Sequence, residues 1–312
     1  MSLFEGRNDL EVKIASATDE QTLIREARDA HAIIARAIPV TAAIIDAARE
    51  LCVVSRHGVG YDNVDVARLT ARGIPLTIAI EANALSVAEH TLYLMLALAK
   101  RGFEFDRAVK SGKFDIRATL HGADIAEKNV LVVGFGRTGT RVARLARAFG
   151  MNVFVTDPYI DQSLIASAGC TPVGDYFAVL PKMDFVTIHC PLTDETRAMI
   201  GERELAAMPA SAYVVNCARG GIVDETALCT ALQTGDISGA GLDVFVREPT
   251  PGDDPLLALD NVITSPHIAG VTLEASMRMA MGSAANVLAA FDGTLDPAVV
   301  VNKEVLATAS AR

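Results

Sequence analysis

The stretch from residue 129 to residue 157 constrains the chain more than any other. An apolar run, Val130-Leu131-Val132-Val133, leads directly into Gly134-Phe135-Gly136-Arg137-Thr138-Gly139, and Val142, Leu145 and Phe149 follow at helical spacing before Gly150. A continuous apolar run is what a parallel strand covered on both faces requires. The three glycines then have separate duties. The first permits a tight turn, the second lets backbone approach a diphosphate, and the third lets the helix pack on the strand. The amides of the helix N-terminus face the anion. A second apolar run, 153–156, ends at Asp157, eighteen residues after Gly139. A carboxylate there accepts hydrogen bonds from both hydroxyls of an adenosine ribose and repels a 2′-phosphate. The stretch therefore predicts a βαβ unit that binds NAD rather than NADP on Gly134, Gly136, Arg137, Thr138, Gly139, Asp157 and Pro158.

The strand and helix rhythm extends in both directions, and 312 residues are enough for two cores. Strand candidates at 130–133, 153–156, 185–189, 213–216, 240–244 and 262–264 make up a full Rossmann sheet. Ahead of them, candidates at 11–14, 32–35, 51–54 and 75–78 alternate with helical segments at 40–49 and 64–72. The expected fold is α/β, with two doubly wound parallel-sheet domains. A Rossmann NAD-binding domain, 101–287, is inserted in a flavodoxin-like substrate domain, 1–100, which residues 288–312 complete. Residues 86–100 read as one helix, with Ser86 as N-cap and Glu89 closing a capping box. That helix is apolar nearly all round, so it is expected at a domain or subunit boundary. Residues 101–128 read as a polar connector, and 273–291 as a long helix.

Charge and cysteine content exclude several function classes. A net charge of −10 repels nucleic acid and anionic lipid, and no basic cluster offsets it. The most apolar stretch, 84–99, is interrupted by Glu89 and His90 and is too short to span a bilayer. The first residues lack the basic and apolar regions of an export signal. Five scattered cysteines without a CxxC pair fit reduced thiols better than a disulfide or zinc framework, and no metal is expected. The cytoplasm is the expected compartment.

Further motifs lie downstream in a fixed order: Val215-Asn216-Cys217-Ala218-Arg219-Gly220-Gly221-Ile222-Val223-Asp224, Gly241-Leu242-Asp243-Val244-Phe245, Arg247-Glu248-Pro249 and Ser265-Pro266-His267-Ile268-Ala269-Gly270. With Val59-Gly60-Tyr61-Asp62-Asn63-Val64-Asp65 and Ser86-Val87-Ala88-Glu89-His90, they make nearly the whole chain resemble the D-isomer-specific 2-hydroxyacid dehydrogenases. The resemblance implies hydride transfer between NAD and a small 2-hydroxy or 2-keto acid, by a catalytic Arg219, Glu248 and His267. Those residue types suit the chemistry. Hydride arriving at a carbonyl leaves charge on oxygen, so a proton donor, His267, stands beside it. A carboxylate on the far ring nitrogen, Glu248, favours the protonated imidazole. A guanidinium, Arg219, grips the substrate carboxylate and polarises the carbonyl.

The same resemblance sets the His189-Cys190-Pro191 segment near the nicotinamide side of the cofactor and Asp243 at its amide, and Thr196, Cys217, Ala218 and Gly270 are further candidates for cofactor binding. A buried structural aspartate is the competing reading of Asp243. Substrate is placed on the backbone amides of Gly58-Val59-Gly60, with Asn83 nearby. Arg56 and His57 just ahead of this turn add two cationic donors, which favours an acid with an anionic 3-substituent, of 3-phosphoglycerate or sulfolactate type. Hydroxypyruvate, glyoxylate or D-lactate chemistry is the alternative, and an NAD-sensing co-repressor is the alternative of another class. A glutamine in place of Glu248 would indicate a formate dehydrogenase. A homodimer is expected, and no regulatory domain is expected after Arg312.

Overall fold

The computed structural model describes residues 2–4, 7–119 and 121–309. The last three residues of the segment expected to complete the first domain, 310–312, lie outside that description. The chain divides into two compact units, one of Met1–Asn83 with Val271–Arg312, the other of Ala84–Gly270. The divisions at 83/84 and 270/271 precede those expected from the sequence at 100/101 and 287/288.

In the first unit, β1 (Ala32–Ala35), β2 (Val53–Arg56) and β3 (Leu76–Ile78) form a parallel sheet in that order. Helices α1 (Glu20–Glu26), α2 (Ala42–Ala47) and α3 (Val66–Ala71) begin at Asp19, Thr41 and Asp65, whose side chains each accept a first-turn amide. Ile44, Ile45, Val54, Leu69 and Leu76 close the core beneath them. Residues 11–14, expected as a strand, belong to none, and Ile14 is 85% exposed. The physical reason is their pattern. Val12 and Ile14 alternate with charged Glu11 and Lys13, which cannot be covered on both faces of a parallel sheet.

The second unit opens with α4 (Ala84–Ala99) and α5 (Gly102–Lys110). Then come β4 (Asn129–Val133), α6 (Arg137–Ala148), β5 (Asn152–Thr156), α7 (Gln162–Ser167), the short β6 (Thr171–Pro172), α8 (Tyr176–Val179) and β7 (Phe185–Ile188). Helix α9 (Glu202–Ala207), β8 (Tyr213–Asn216), α10 (Glu225–Thr234), β9 (Gly239–Leu242) and β10 (Val262–Thr264) complete the unit. All seven strands are parallel, in the order β10-β9-β8-β7-β4-β5-β6. The chain winds outward in both directions from the β4/β7 pair. That reversal is a topological switch point, where open α/β sheets bind ligands beyond the carboxyl ends of their strands.

Leu94, Met95 and Leu98 of α4 pack with Val130, Val132 and Phe185, which is why this helix belongs to the second unit. It starts two residues before the expected cap, so Ser86 lies inside it and is buried. Residues 101–128 are not a plain connector, because α5 presents an amphipathic face there. The chain then returns to the first unit through α11 (Leu273–Phe291). Asn286 on that helix donates to the Ile78 carbonyl at 3.1 Å, and buried Asn302 bonds Leu76 N, Ile74 O and Thr70 Oγ1.

Candidate active site

Strand β4 delivers the glycine turn at the switch point. A Cβ on Gly139 would fall 1.9 Å from the Gly134 carbonyl oxygen, so only glycine lets α6 start this close to β4. Gly136, the N-cap of α6, has nothing within 4 Å of where a Cβ would sit, so a ligand can reach its backbone. Arg137 and Thr138 fill the first helical turn, which carries no acidic side chain to oppose an anion.

At the end of β5 the Asp157 carboxylate accepts the Phe135 amide at 2.8 Å on one oxygen and the Tyr159 amide at 2.9 Å on the other. It thereby ties the glycine turn to β5, and an ionised carboxylate has acceptor sites left over on both oxygens. Asp157 and Pro158 stand in the wall of a cavity of about 400 Å³ lined also by Ile160, Ile165 and Val173. A helix start without acidic side chains, open glycine backbone and a carboxylate in the wall of a cavity of mixed polar and apolar lining fit NAD.

His189 follows β7 on the other side of the switch point. Its Nε2 lies 2.9 Å from Thr187 Oγ1, and its Nδ1 is buried without a partner among the described residues. Burial pushes the ring down to about 3, so it is neutral and cannot serve as the proton donor. The next residue, Cys190, has its thiol pushed up to about 11 by burial, and Cys217 is pushed up to about 12 for the same reason. Neither is a thiolate near neutrality. Thr196 donates to the Pro191 carbonyl at 2.6 Å and accepts the Thr193 amide at 2.8 Å, which locks the 191–196 turn.

The catalytic candidates lie on neighbouring strand ends of the same sheet. Buried Asn216, last in β8, accepts the Ala218 amide at 3.0 Å and donates to the Arg219 carbonyl at 2.9 Å, so it shapes the loop that presents Arg219. A Cβ on Gly220 would fall 2.0 Å from the Phe245 carbonyl carbon, so this loop lies backbone to backbone on residues 245 and 246. The Val246 amide donates to Glu225 at 2.6 Å, and the Phe245 amide donates to Glu248 Oε1 at 3.0 Å. The other oxygen, Oε2 of Glu248, is 2.7 Å from His267 Nδ1. The expected pair is therefore formed, and the far nitrogen of the His267 ring has no hydrogen-bond partner among the described residues.

His267 itself has φ of 54°, a left-handed backbone that a non-glycine residue adopts only when its surroundings impose it. Asp243, just beyond β9, supplies that constraint. Its carbonyl accepts the His267 amide at 2.8 Å. Its carboxylate accepts Ser265 Oγ at 2.6 Å and the Ile268 and Ala269 amides at 2.9 Å each. These bonds give buried Asp243 a structural part in the 265–269 turn. Gly270 ends the unit one residue later. Glu225 and Ser265 carry no local signal that would have singled them out, because their partners, Val246 and Asp243, lie more than twenty residues away.

In the first unit, Gly58 has φ of 143° where the chain turns away from β2. The Arg56 guanidinium, expected to reach a ligand, instead donates to the carbonyls of Ala35 and His57 at 3.1 and 3.0 Å and braces the turn. Burial, helped by the charges of Arg36 and Arg56, holds the His57 ring below the ordinary histidine range. The amides of Val59 and Gly60 have no partner among the described residues. Asn83, half-buried, is the last residue of this stretch of the unit.

A doubly wound sheet with a glycine turn at its switch point, and with a histidine and a carboxylate paired at its strand ends, defines the class: a nicotinamide-nucleotide-binding domain. Residues 92–269 match the family described as D-isomer specific 2-hydroxyacid dehydrogenase, NAD binding domain, and the chain belongs to this family. It is 42% identical over 266 residues to the D-3-phosphoglycerate dehydrogenase of Methanocaldococcus jannaschii, covering 85% of this chain and 50% of that one. The chain spans about half the length of the phosphoglycerate dehydrogenases it matches. It is 37% identical over 311 residues to the glyoxylate reductase of Korarchaeum cryptofilum, covering 98% of this chain and 93% of that one. The D-lactate dehydrogenase of Aquifex aeolicus, solved with NAD and lactic acid, superposes with a TM-score of 0.86 at 30% identity, covering 96% and 95%.

Proposed function

We propose that the protein catalyses reversible hydride transfer between NADH and the 2-carbon of a small 2-keto acid. The observation that carries this reading is the 2.7 Å contact of His267 Nδ1 with Glu248, in the same unit as the glycine turn. Bound NAD supplies or accepts the hydride. His267 gives the proton to the carbonyl oxygen as charge develops there and takes it back in the reverse direction. Glu248 orients the ring through its 2.7 Å contact with Nδ1. Arg219 binds the carboxylate and polarises the carbonyl. In the first unit, the amides of Val59 and Gly60, without partners among the described residues, are donors open to an anion.

The substrate's tail is the finer question. Of the two side chains that would meet an anionic 3-substituent, Arg56 braces its own turn and burial keeps His57 towards neutrality. These observations favour a small tail without a second charge, of the glyoxylate or hydroxypyruvate kind. Free thiols at all five cysteines fit a reducing cytoplasm, and no helix of the described residues is long and apolar enough to cross a membrane. Leu85 and Tyr93 are exposed on α4, which supports association as a homodimer.

The test is NADH oxidation with a panel of 2-keto acids, charged and uncharged at the 3-position, alongside His267→Ala and Arg219→Ala. Turnover of glyoxylate or hydroxypyruvate ahead of phosphohydroxypyruvate is expected. Each substitution should lower kcat/KM by about 10² to 10⁴ while NADH fluorescence still reports binding. NADH binding without turnover of any keto acid would favour a nucleotide-sensing role instead.

A further inference from the structure

We propose that His90, acting through Ser265, is a positioning residue for His267. The two histidines are far apart in sequence and share one sheet end. His90 projects from α4, with its Nε2 2.9 Å from Ser265 Oγ and 3.8 Å from Asp243 Oδ1. Ser265 Oγ is in turn 2.6 Å from that same Asp243 oxygen.

The hydrogens in this chain run in one direction. Asp243 accepts a backbone amide on each carboxylate oxygen, which is the pattern of an ionised carboxylate with no hydrogen to give. The single hydroxyl hydrogen of Ser265 therefore goes to Asp243. The remaining contact of Ser265 must be filled by a donor, so His90 Nε2 carries a hydrogen and points it at Ser265. The result is an ordered series: His90 donates to Ser265, and Ser265 donates to Asp243. Asp243 then holds residues 267–269 through its carbonyl and both carboxylate oxygens.

That series bears directly on the reaction because of where His267 sits. Its left-handed backbone is unfavourable for a residue with a side chain, and the Asp243 contacts are what hold it. Half-buried His90, with its ring 5.5 Å from that of Tyr93, is anchored on a sixteen-residue helix and gives Ser265 a fixed reference. Without that donor Ser265 is free to rotate off Asp243, the 265–269 turn loosens, and the His267 ring moves relative to Glu248.

The inference rests on the dehydrogenase reading for its kinetic arm, and a second readout does not. Protein labelled with ¹⁵N at histidine gives ring signals for His267 whether or not it turns over. His90→Leu removes the donor and keeps an apolar side chain on α4, whereas His90→Gln restores an N–H at similar reach. We expect His90→Leu to shift the His267 ring signals and lower kcat about tenfold, with NADH Kd changed by less than about twofold. His90→Gln should return both readouts towards the parent. Ser265→Ala and Ser265→Thr form a second pair with the same expected loss and recovery, in case the leucine variant does not fold. Unchanged His267 signals in both His90→Leu and Ser265→Ala would overturn the proposal, as would a His90→Gln or Ser265→Thr protein no better than its apolar counterpart. A parent protein that binds NADH but reduces no keto acid would sink the dehydrogenase reading alone, and the ring signals would still decide this one.

Discussion

His189 and His267 carry the same side chain at the ends of two strands of one sheet, and their surroundings separate them. The first is buried beside Thr187, and desolvation holds it down to about 3. The second is exposed and bonded to Glu248. The buried ring has a consequence for stability. In the unfolded chain a histidine takes up its proton near pH 6.5, whereas folded His189 resists until about 3. Between those values the unfolded state binds more protons, so stability is full above about pH 6.5 and is lost as the pH falls towards 3. His57, also lowered by burial, acts in the same direction. Urea midpoints should therefore drop between pH 7 and pH 5, and His189→Gln, which keeps a polar group at Thr187, should flatten that drop. Equal slopes in the two proteins would show that the folded ring accepts protons as readily as the free one. At this scale Arg219, Glu248 and His267 come from the family resemblance, and the reaction proposed for them needs those residue types together. Arg56 could not be read, since a guanidinium's choice between ligand and backbone carbonyl depends on what the folded chain brings within 3 Å.

Among the elements, the β4–α6–β5 unit was readable almost to the residue, because its strand pattern, turn glycines and closing aspartate all act within thirty residues. The α4 start was misplaced by two residues, since a buried helix end is set by packing rather than by the nearest capping pattern. The short β6 was missed because two residues carry no periodicity. Cofactor choice belongs at this scale, where β5 ends. A 2′-phosphate placed about 4 Å from the Asp157 carboxylate would cost about 4 kcal/mol per charge pair at an effective dielectric near 20. NAD should therefore be preferred over NADP by at least about tenfold in kcat/KM. Asp157→Asn removes the charge and keeps one acceptor, for the Phe135 amide, at the expense of the Tyr159 contact, so it should narrow the ratio. A parent enzyme that uses both cofactors alike would refute this role for Asp157.

For the whole molecule, the division into two units predicts a response confined to one of them. With NADH alone, hydrogen exchange should slow around the glycine turn, the end of β5 and the strand ends at β7 and β8, and should leave β1, β2 and β3 unchanged. Slowing of equal size in β1–β3 would mean that the nucleotide is not held by the second unit by itself. What the sequence determined alone was whatever depends on near neighbours: two series of alternating strands and helices, a glycine turn with a carboxylate at the end of the following strand, and the residue types proposed for a proton donor, its partner and an anion clamp. Tertiary structure decided which groups meet. His90 reaches Ser265 across 175 positions, Glu225 reaches Val246 across 21, and Glu248 reaches His267 across 19. Parallel strands bring their carboxyl ends to one edge of the sheet whatever their separation along the chain. The partners of a residue at that edge are therefore set by strand order and packing, which no local pattern encodes.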